Sequence, residues 1–158
     1  MNLGDLADVA EIVSAVGVIL SLIYLAIQIR QNTTSVRAAS FQELLNHVAM
    51  LNLRLVDDPV LAKLRVNALT QDFDAASPEG ARWRAFSLVA INHWFHAYSQ
   101  HREGTISDEQ WKVLSGGVRR SVRTVQSTWV TTRENYPEDF RRYIDAEIES
   151  SRSVGGAA

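Results

Sequence analysis

The apolar positions of this chain fall into one dense block and several spaced series. From Ile12 to Ile29 no residue is charged, and Arg30 follows at once. The block holds the aliphatic residues Ile12, Val13, Val16, Val18, Ile19, Leu20, Leu22, Ile23, Leu25, Ile27 and Ile29. As a helix it would be about 27 Å long, close to the ~30 Å hydrocarbon thickness of a bilayer. On insertion scales these side chains supply about −3 to −7 kcal/mol, less the cost of Ser14, Ser21 and the terminal Gln28. The pattern therefore predicts a membrane span over 12–29, within an anchor covering residues 1–31.

Past Arg30 the apolar residues spread out to helical spacing. Residues 2–11 are already compatible with helix, with Asn2 or Asp5 as N-cap. Phe41, Leu44, Leu45, Val48, Leu51, Leu55 and Val56 predict that one long helix leaves the membrane and opens the next domain. Asn32-Thr33-Thr34, mediocre helix formers, mark a place where it could bend. Asp58-Pro59 is a helix restart, with Val60, Leu61, Leu64 and Leu69 as the apolar face of a short helix ending near Gln71. Ser77-Pro78 starts another, predicted over 78–103 and stopped at Gly104. Its apolar residues, Trp83 to Tyr98, cover most sides, as in the central helix of a bundle.

Ser107 to Gln110 reads as a capping box for a helix that buries Trp111, Leu114 and Val118. Gly116-Gly117 weakens its middle or marks a close helix contact. A break is expected near Arg123-Thr124, then a short helix with Val125, Trp129 and Val130. A last helix begins at Pro137 and carries Phe140, Tyr143, Ile144 and Ile148. No strand-like alternation and no repeat occurs. The expected fold class is all-α: a transmembrane helix continuing into a helical bundle over 32–149, with a disordered tail at 150–158.

Within the span, Ala10, Ser14, Gly17, Ser21, Tyr24 and Gln28 recur at alternating steps of four and three. Small residues let helix backbones approach in lipid, so this stripe is a candidate face for self-association or for a partner helix.

Charge orients the anchor. The net charge of −2 resides in the first 31 residues, where Asp5, Asp8 and Glu11 face only Arg30; the other 15 acidic and 15 basic residues cancel. Acids before the span and Arg30 and Arg37 after it place the following domain in the cytoplasm by the positive-inside rule. The acidic leader and the lack of a small-residue cleavage site argue for a retained signal-anchor. A neutral main domain excludes a strongly basic nucleic-acid binder. The absence of cysteine excludes disulfides, thiolate metal sites and a cysteine nucleophile.

SLIYLAIQIRQNT at Ser21–Thr33 is similar to the anchor of a family of small bacterial membrane proteins of unknown function. The Tyr98-Ser99-Gln100 to Gly104 helix end, Trp111, and Trp129 followed by Pro137 and Phe140 match that family's layout. The resemblance implies a bacterial inner-membrane anchor with a helical domain. It implies no catalytic residue.

No phosphate loop, nucleophile elbow or zinc-protease helix is present, and no cofactor motif. The weak metal candidates are Glu43 and His47 on one helix with His93 and His96 on another. Dimetal bundles use more carboxylates than this. Arg119, Arg120 and Arg123, with Lys112, could meet lipid headgroups as Arg30 and Arg37 would, but a solvated face paired with Glu109 or Glu138 is the simpler expectation. The sequence thus favours a non-enzymatic single-pass protein that self-assembles or scaffolds a partner membrane protein. The alternatives are a tethered sensor or enzyme binding a small ligand or metal near His93, Trp94 and His96, and a soluble helical oligomer that buries the apolar helix between subunits.

Overall fold

The computed structural model describes residues 3–70 and 76–155, with side chains for 11, 13–70 and 76–153. Six α-helices appear among the described residues: α1 (Leu3–Asp57), α2 (Pro59–Thr70), α3 (Pro78–Arg102), α4 (Asp108–Ser121), α5 (Gln126–Thr132) and α6 (Glu138–Gly155). Short 3-10 turns, Val122–Val125 and Arg133–Asn135, link α4 to α5 and α5 to α6. No strand occurs among them, and the fold is all-α. The chain divides into two compact units, Met1–Ala39 and Ser40–Ala158.

The first unit is helix throughout its described length. Helix α1 starts at Leu3, so Asp5 lies inside it rather than at its N-cap. It continues unbroken past Asn32. The hydroxyls of Thr33, Thr34 and Ser35 donate to the carbonyls of Ile29, Arg30 and Gln31 at 2.9, 3.0 and 3.1 Å. Folded back on the preceding turn, these side chains stop competing for backbone groups in a non-helical conformation.

The second unit is a helical bundle organised on α3. Its first helical stretch, residues 40–57 of α1, buries Leu44 completely and lays Phe41, Leu45, Val48, Leu51 and Leu55 against the core. Val56 is exposed, contrary to the spacing. The Asp58 side chain caps α2, accepting from the Val60 and Leu61 amides at 3.0 and 3.1 Å. Pro59 follows at the first helical position, where a missing N–H costs nothing. Leu61, Leu64 and Ala68 form the buried face, whereas Val60 and Leu69 point outward.

Ser77 caps α3 by accepting from the Gly80 amide at 3.0 Å. At the other end Gly104 takes a φ of 71°, the left-handed geometry that lets the chain leave the helix. Ser107 and Gln110 make the reciprocal bonds of a capping box at α4. The turn at Val122–Val125 breaks the helix where Arg123-Thr124 suggested, and the Thr124 hydroxyl donates to the Ser121 carbonyl at 2.7 Å.

Three apolar clusters result, and α3 belongs to all of them. Trp83 packs with Leu61, Leu64 and Ala68 of α2. Ala97 joins Leu44, Ile106 and Leu114. Ala90, Ile91 and Trp94 meet Val118, Val122, Trp129, Phe140 and Ile144 in the largest. Two buried indoles find acceptors across the bundle, as desolvated N–H groups must. Trp83 Nε1 donates to the Thr124 carbonyl at 3.1 Å, and Trp129 Nε1 to Asp145 Oδ1 at 2.7 Å. Arg133 holds the other Asp145 oxygen at 2.7 Å. Helix α6 runs on to Gly155, so residues 150–155 of the expected tail are helical; 156–158 lie outside the described residues.

Candidate functional site

Two places in the chain carry chemistry beyond packing: the apolar stretch of α1 and a cavity inside the bundle. Each lies within its own unit.

In the first, helix α1 holds one stretch long and apolar enough to cross a membrane, with an 18-residue window of mean hydropathy 1.9 and none of it buried. Ten of the aliphatic residues singled out by the sequence are at least 50% exposed, from Val13 to Ile29; the Ile12 side chain lies outside the described residues. Water would oppose this surface strongly. At about 25 cal/mol per Å² of apolar area, a fully buried aliphatic side chain gains roughly 1.5–3 kcal/mol over an exposed one.

The stripe of small and polar residues lies along this stretch. Ser14, Gly17, Ser21, Tyr24 and Gln28 are all exposed, and the side chain of Ala10 lies outside the described residues. A strict 3.5-residue repeat drifts by about 20° per heptad on a straight helix, so the six positions stay on one side. Two hydrogen bonds run along it within the helix. Ser21 Oγ donates to the Gly17 carbonyl at 2.8 Å and Gln28 Nε2 to Tyr24 Oη at 2.6 Å. A Cβ added at Gly17 would meet nothing within 4 Å, so the residue leaves a flat place on the surface. Arg30 and Arg37 follow, both exposed.

In the second unit a cavity of about 230 Å³ opens between α1, α2, α3, α4 and the Val122–Val125 turn. Its walls are largely apolar and aromatic, including Leu51, Trp83, Phe86, Trp94, Trp111 and Val118. Among the described residues the polar groups on it are Asn52, Arg65, His93, Arg120, Ser121 and Thr124, with no carboxylate.

His93 is the unusual group. The residue is 8% exposed and its Nδ1 is buried without a hydrogen-bond partner among the described residues. The His47 ring meets it edge-on, with centroids 5.8 Å apart. Burial, then the neighbouring His47 and His96, push its pKa down from 6.5 to about 4. His93 is therefore neutral at pH 7.

The histidines and the carboxylate do not gather as a metal site would require. Glu43 and His96 are exposed, and His96 Nε2 lies 2.9 Å from Gln100 Nε2. Among the described residues no group of three or more His, Cys, Asp or Glu could hold a metal ion. His101 stacks on Trp111 with ring centroids 5.1 Å apart and reaches Asp108 at 2.8 Å, tying α3 to the start of α4.

The basic run separates as well. Arg119 reaches Glu147 on α6 at 3.3 Å, not Glu109 or Glu138, and Glu138 faces Arg142. Lys112, Arg119, Arg120 and Arg123 are all exposed, and Arg120 also borders the cavity. Sequence reasoning missed Arg65 and Arg120 as a pair, because only the fold brings α2 and α4 to one cavity. The available signal was Gly116-Gly117. A Cβ on Gly116 would lie 3.5 Å from Arg120 Nη1, and one on Gly117 would meet nothing within 4 Å. Neither glycine is at a close helix contact; both border open space or the Arg120 side chain.

No protein-family model, curated protein or solved structure matches the chain.

Proposed function

We propose that this is a single-pass membrane protein that assembles through its anchor and holds a helical domain at the cytoplasmic face. One observation carries the reading: the charge-free stretch of α1 is exposed at every residue whose side chain is described, from Val13 to Ile29. A bilayer removes that surface from water, and within the helix Ser21 donates to the Gly17 carbonyl and Gln28 to Tyr24 Oη. Arg30 and Arg37 sit where anionic headgroups would meet them, and they orient the chain with the bundle inside. The likeness of Ser21–Thr33 to the anchor of small bacterial membrane proteins supports the inner membrane as the location.

The stripe Ala10, Ser14, Gly17, Ser21, Tyr24 and Gln28 forms the association face. Its 3.5-residue period suits a left-handed crossing, and Gly17 supplies the flat place where backbones approach. Close packing at the small residues drives the contact, with the Ser21 hydroxyl already donating to the Gly17 carbonyl of its own helix.

Native mass spectrometry of the full chain in mild detergent tests this against Gly17→Leu. Wild type gives a defined homo-oligomer, and the variant shifts to monomer at the same concentration. A variant that assembles as tightly as wild type overturns the interface; a wild-type monomer overturns self-assembly. Orientation is tested separately. The chain has no cysteine, so Ser153→Cys, at an exposed position, provides a unique label. An impermeant maleimide should react with it only after the membrane is opened.

A further inference from the structure

The geometry points to the cavity at His93 as a binding site for a small amphipathic carboxylate, its apolar body among the tryptophans and its anionic head at Arg65 and Arg120. All lining residues lie between 48 and 125, so the inference stands whether or not α1 spans a membrane.

Size comes first. The volume of about 230 Å³ is half as large again as the ~150 Å³ apolar cavity that takes up benzene. An aromatic ring with a short alkyl chain fits that space. The walls suit such a body, since Trp83, Phe86, Trp94 and Trp111 offer flat apolar surface.

Charge decides the head group. Among the described residues, two arginines and no carboxylate line the cavity, and neither guanidinium makes an ion pair. Arg82, Arg102, Arg119, Arg133, Arg141 and Arg142 each have an acidic partner. Arg54, Arg123 and Arg152 are in none of these ion pairs either, but they do not line the cavity. A planar guanidinium binds a carboxylate through two parallel hydrogen bonds, which gives direction as well as attraction. His93, neutral at pH 7, adds a hydrogen-bonding group without a third charge.

The glycine pair is the independent sign. Two glycines in the middle of a helix cost stability relative to alanine, and here no backbone approach requires them. Gly117 lines the cavity and leaves it open, and Gly116 leaves room for the Arg120 guanidinium to lie along α4. A side chain at 117 would grow into space the ligand occupies.

The test uses full-length protein in nanodiscs of zwitterionic lipid, titrated with phenylbutyrate and followed by tryptophan fluorescence against empty nanodiscs. Phenylbutanol serves as the uncharged control. Wild type should show a saturable change with phenylbutyrate and bind phenylbutanol at least tenfold more weakly. Arg65→Gln and Arg120→Gln should each weaken phenylbutyrate by about tenfold, as expected for a lost charge-assisted hydrogen bond. Gly117→Phe should abolish binding with its helical circular dichroism intact. If that variant does not fold, the two arginine variants carry the test, since neither residue belongs to the apolar clusters. No saturable change in wild type overturns the site. Equal binding of phenylbutanol, or no loss in either arginine variant, overturns recognition of the carboxylate.

Discussion

Acid should loosen the bundle through His93 in particular. The group holds a proton weakly in the folded chain, with a pKa of about 4 against 6.5 for an unperturbed imidazole. Above pH 6.5 both folded and unfolded forms are neutral, and the group has no effect on stability. As pH falls below 6.5 the unfolded chain takes up a proton that the folded chain refuses, so stability declines until about pH 4 and then levels off. The full shift corresponds to about 3 kcal/mol at 1.36 kcal/mol per unit. Partial solvent screening at the cavity reduces the expected loss between pH 7.5 and 4.5 to about 2 kcal/mol.

Among the described residues no carboxylate lines the cavity to rescue the imidazolium, and the neighbouring His47 and His96 oppose its charge. Replacing His93 by Leu removes the titration while roughly keeping the volume. Thermal unfolding of both proteins in detergent, followed by tryptophan fluorescence at pH 7.5 and 4.5, reads the difference. Wild type should lose about 6–10 °C more than His93→Leu over this interval, at roughly 3–5 °C per kcal/mol for a domain of this size. Equal acid sensitivity of the two proteins would refute the reasoning, because other carboxylates titrate in both.

Three further substitutions test local parts of the fold. Asp58→Ala removes the cap of α2 and the ion pair to Arg82, and should lower bundle stability by about 1–2 kcal/mol in denaturant melts, whereas Asp58→Asn keeps most of the cap. Trp129→Phe keeps an aromatic side chain but loses the bond to Asp145 and leaves a void in the core, which together should cost about 2–4 kcal/mol in denaturant melts. Gly116→Ala should stabilise by up to about 1 kcal/mol, since its Cβ would make only ordinary contact with Arg120 Nη1; a loss of stability would show that α4 packs more closely there.

What the sequence made legible is what local chemistry decides. Asp58-Pro59, Ser77-Pro78, the Ser107 to Gln110 box and Gly104 act within a few residues of themselves, and each ends or begins a helix where the pattern indicated. The break at Arg123-Thr124 was legible for the same reason. Helix faces were less so. Val56, Val60, Leu69, Val89 and Val130 are exposed although helical spacing grouped them with core residues. Which of two adjacent apolar positions turns inward depends on the neighbouring helix, and spacing within one helix does not record that. The clearest miss is the cavity. Histidine, a familiar metal ligand, drew attention to Glu43, His47, His93 and His96, yet they do not converge into a ligand set. Arg65 and Arg120 look like ordinary surface charges until α2 and α4 are folded against α3. Gly116-Gly117 was visible, but its meaning as a gap rather than a contact needed the third dimension.

The measurement that tests the account most directly is the partition of the full-length protein after an alkaline wash of membranes from cells that express it. A helix that spans the bilayer resists the wash, so the account predicts that the chain stays with the membrane pellet, and that Leu20→Arg with Ile23→Arg releases it. Recovery of the wild-type chain in the wash would contradict the anchor, and with it the proposed association face in lipid.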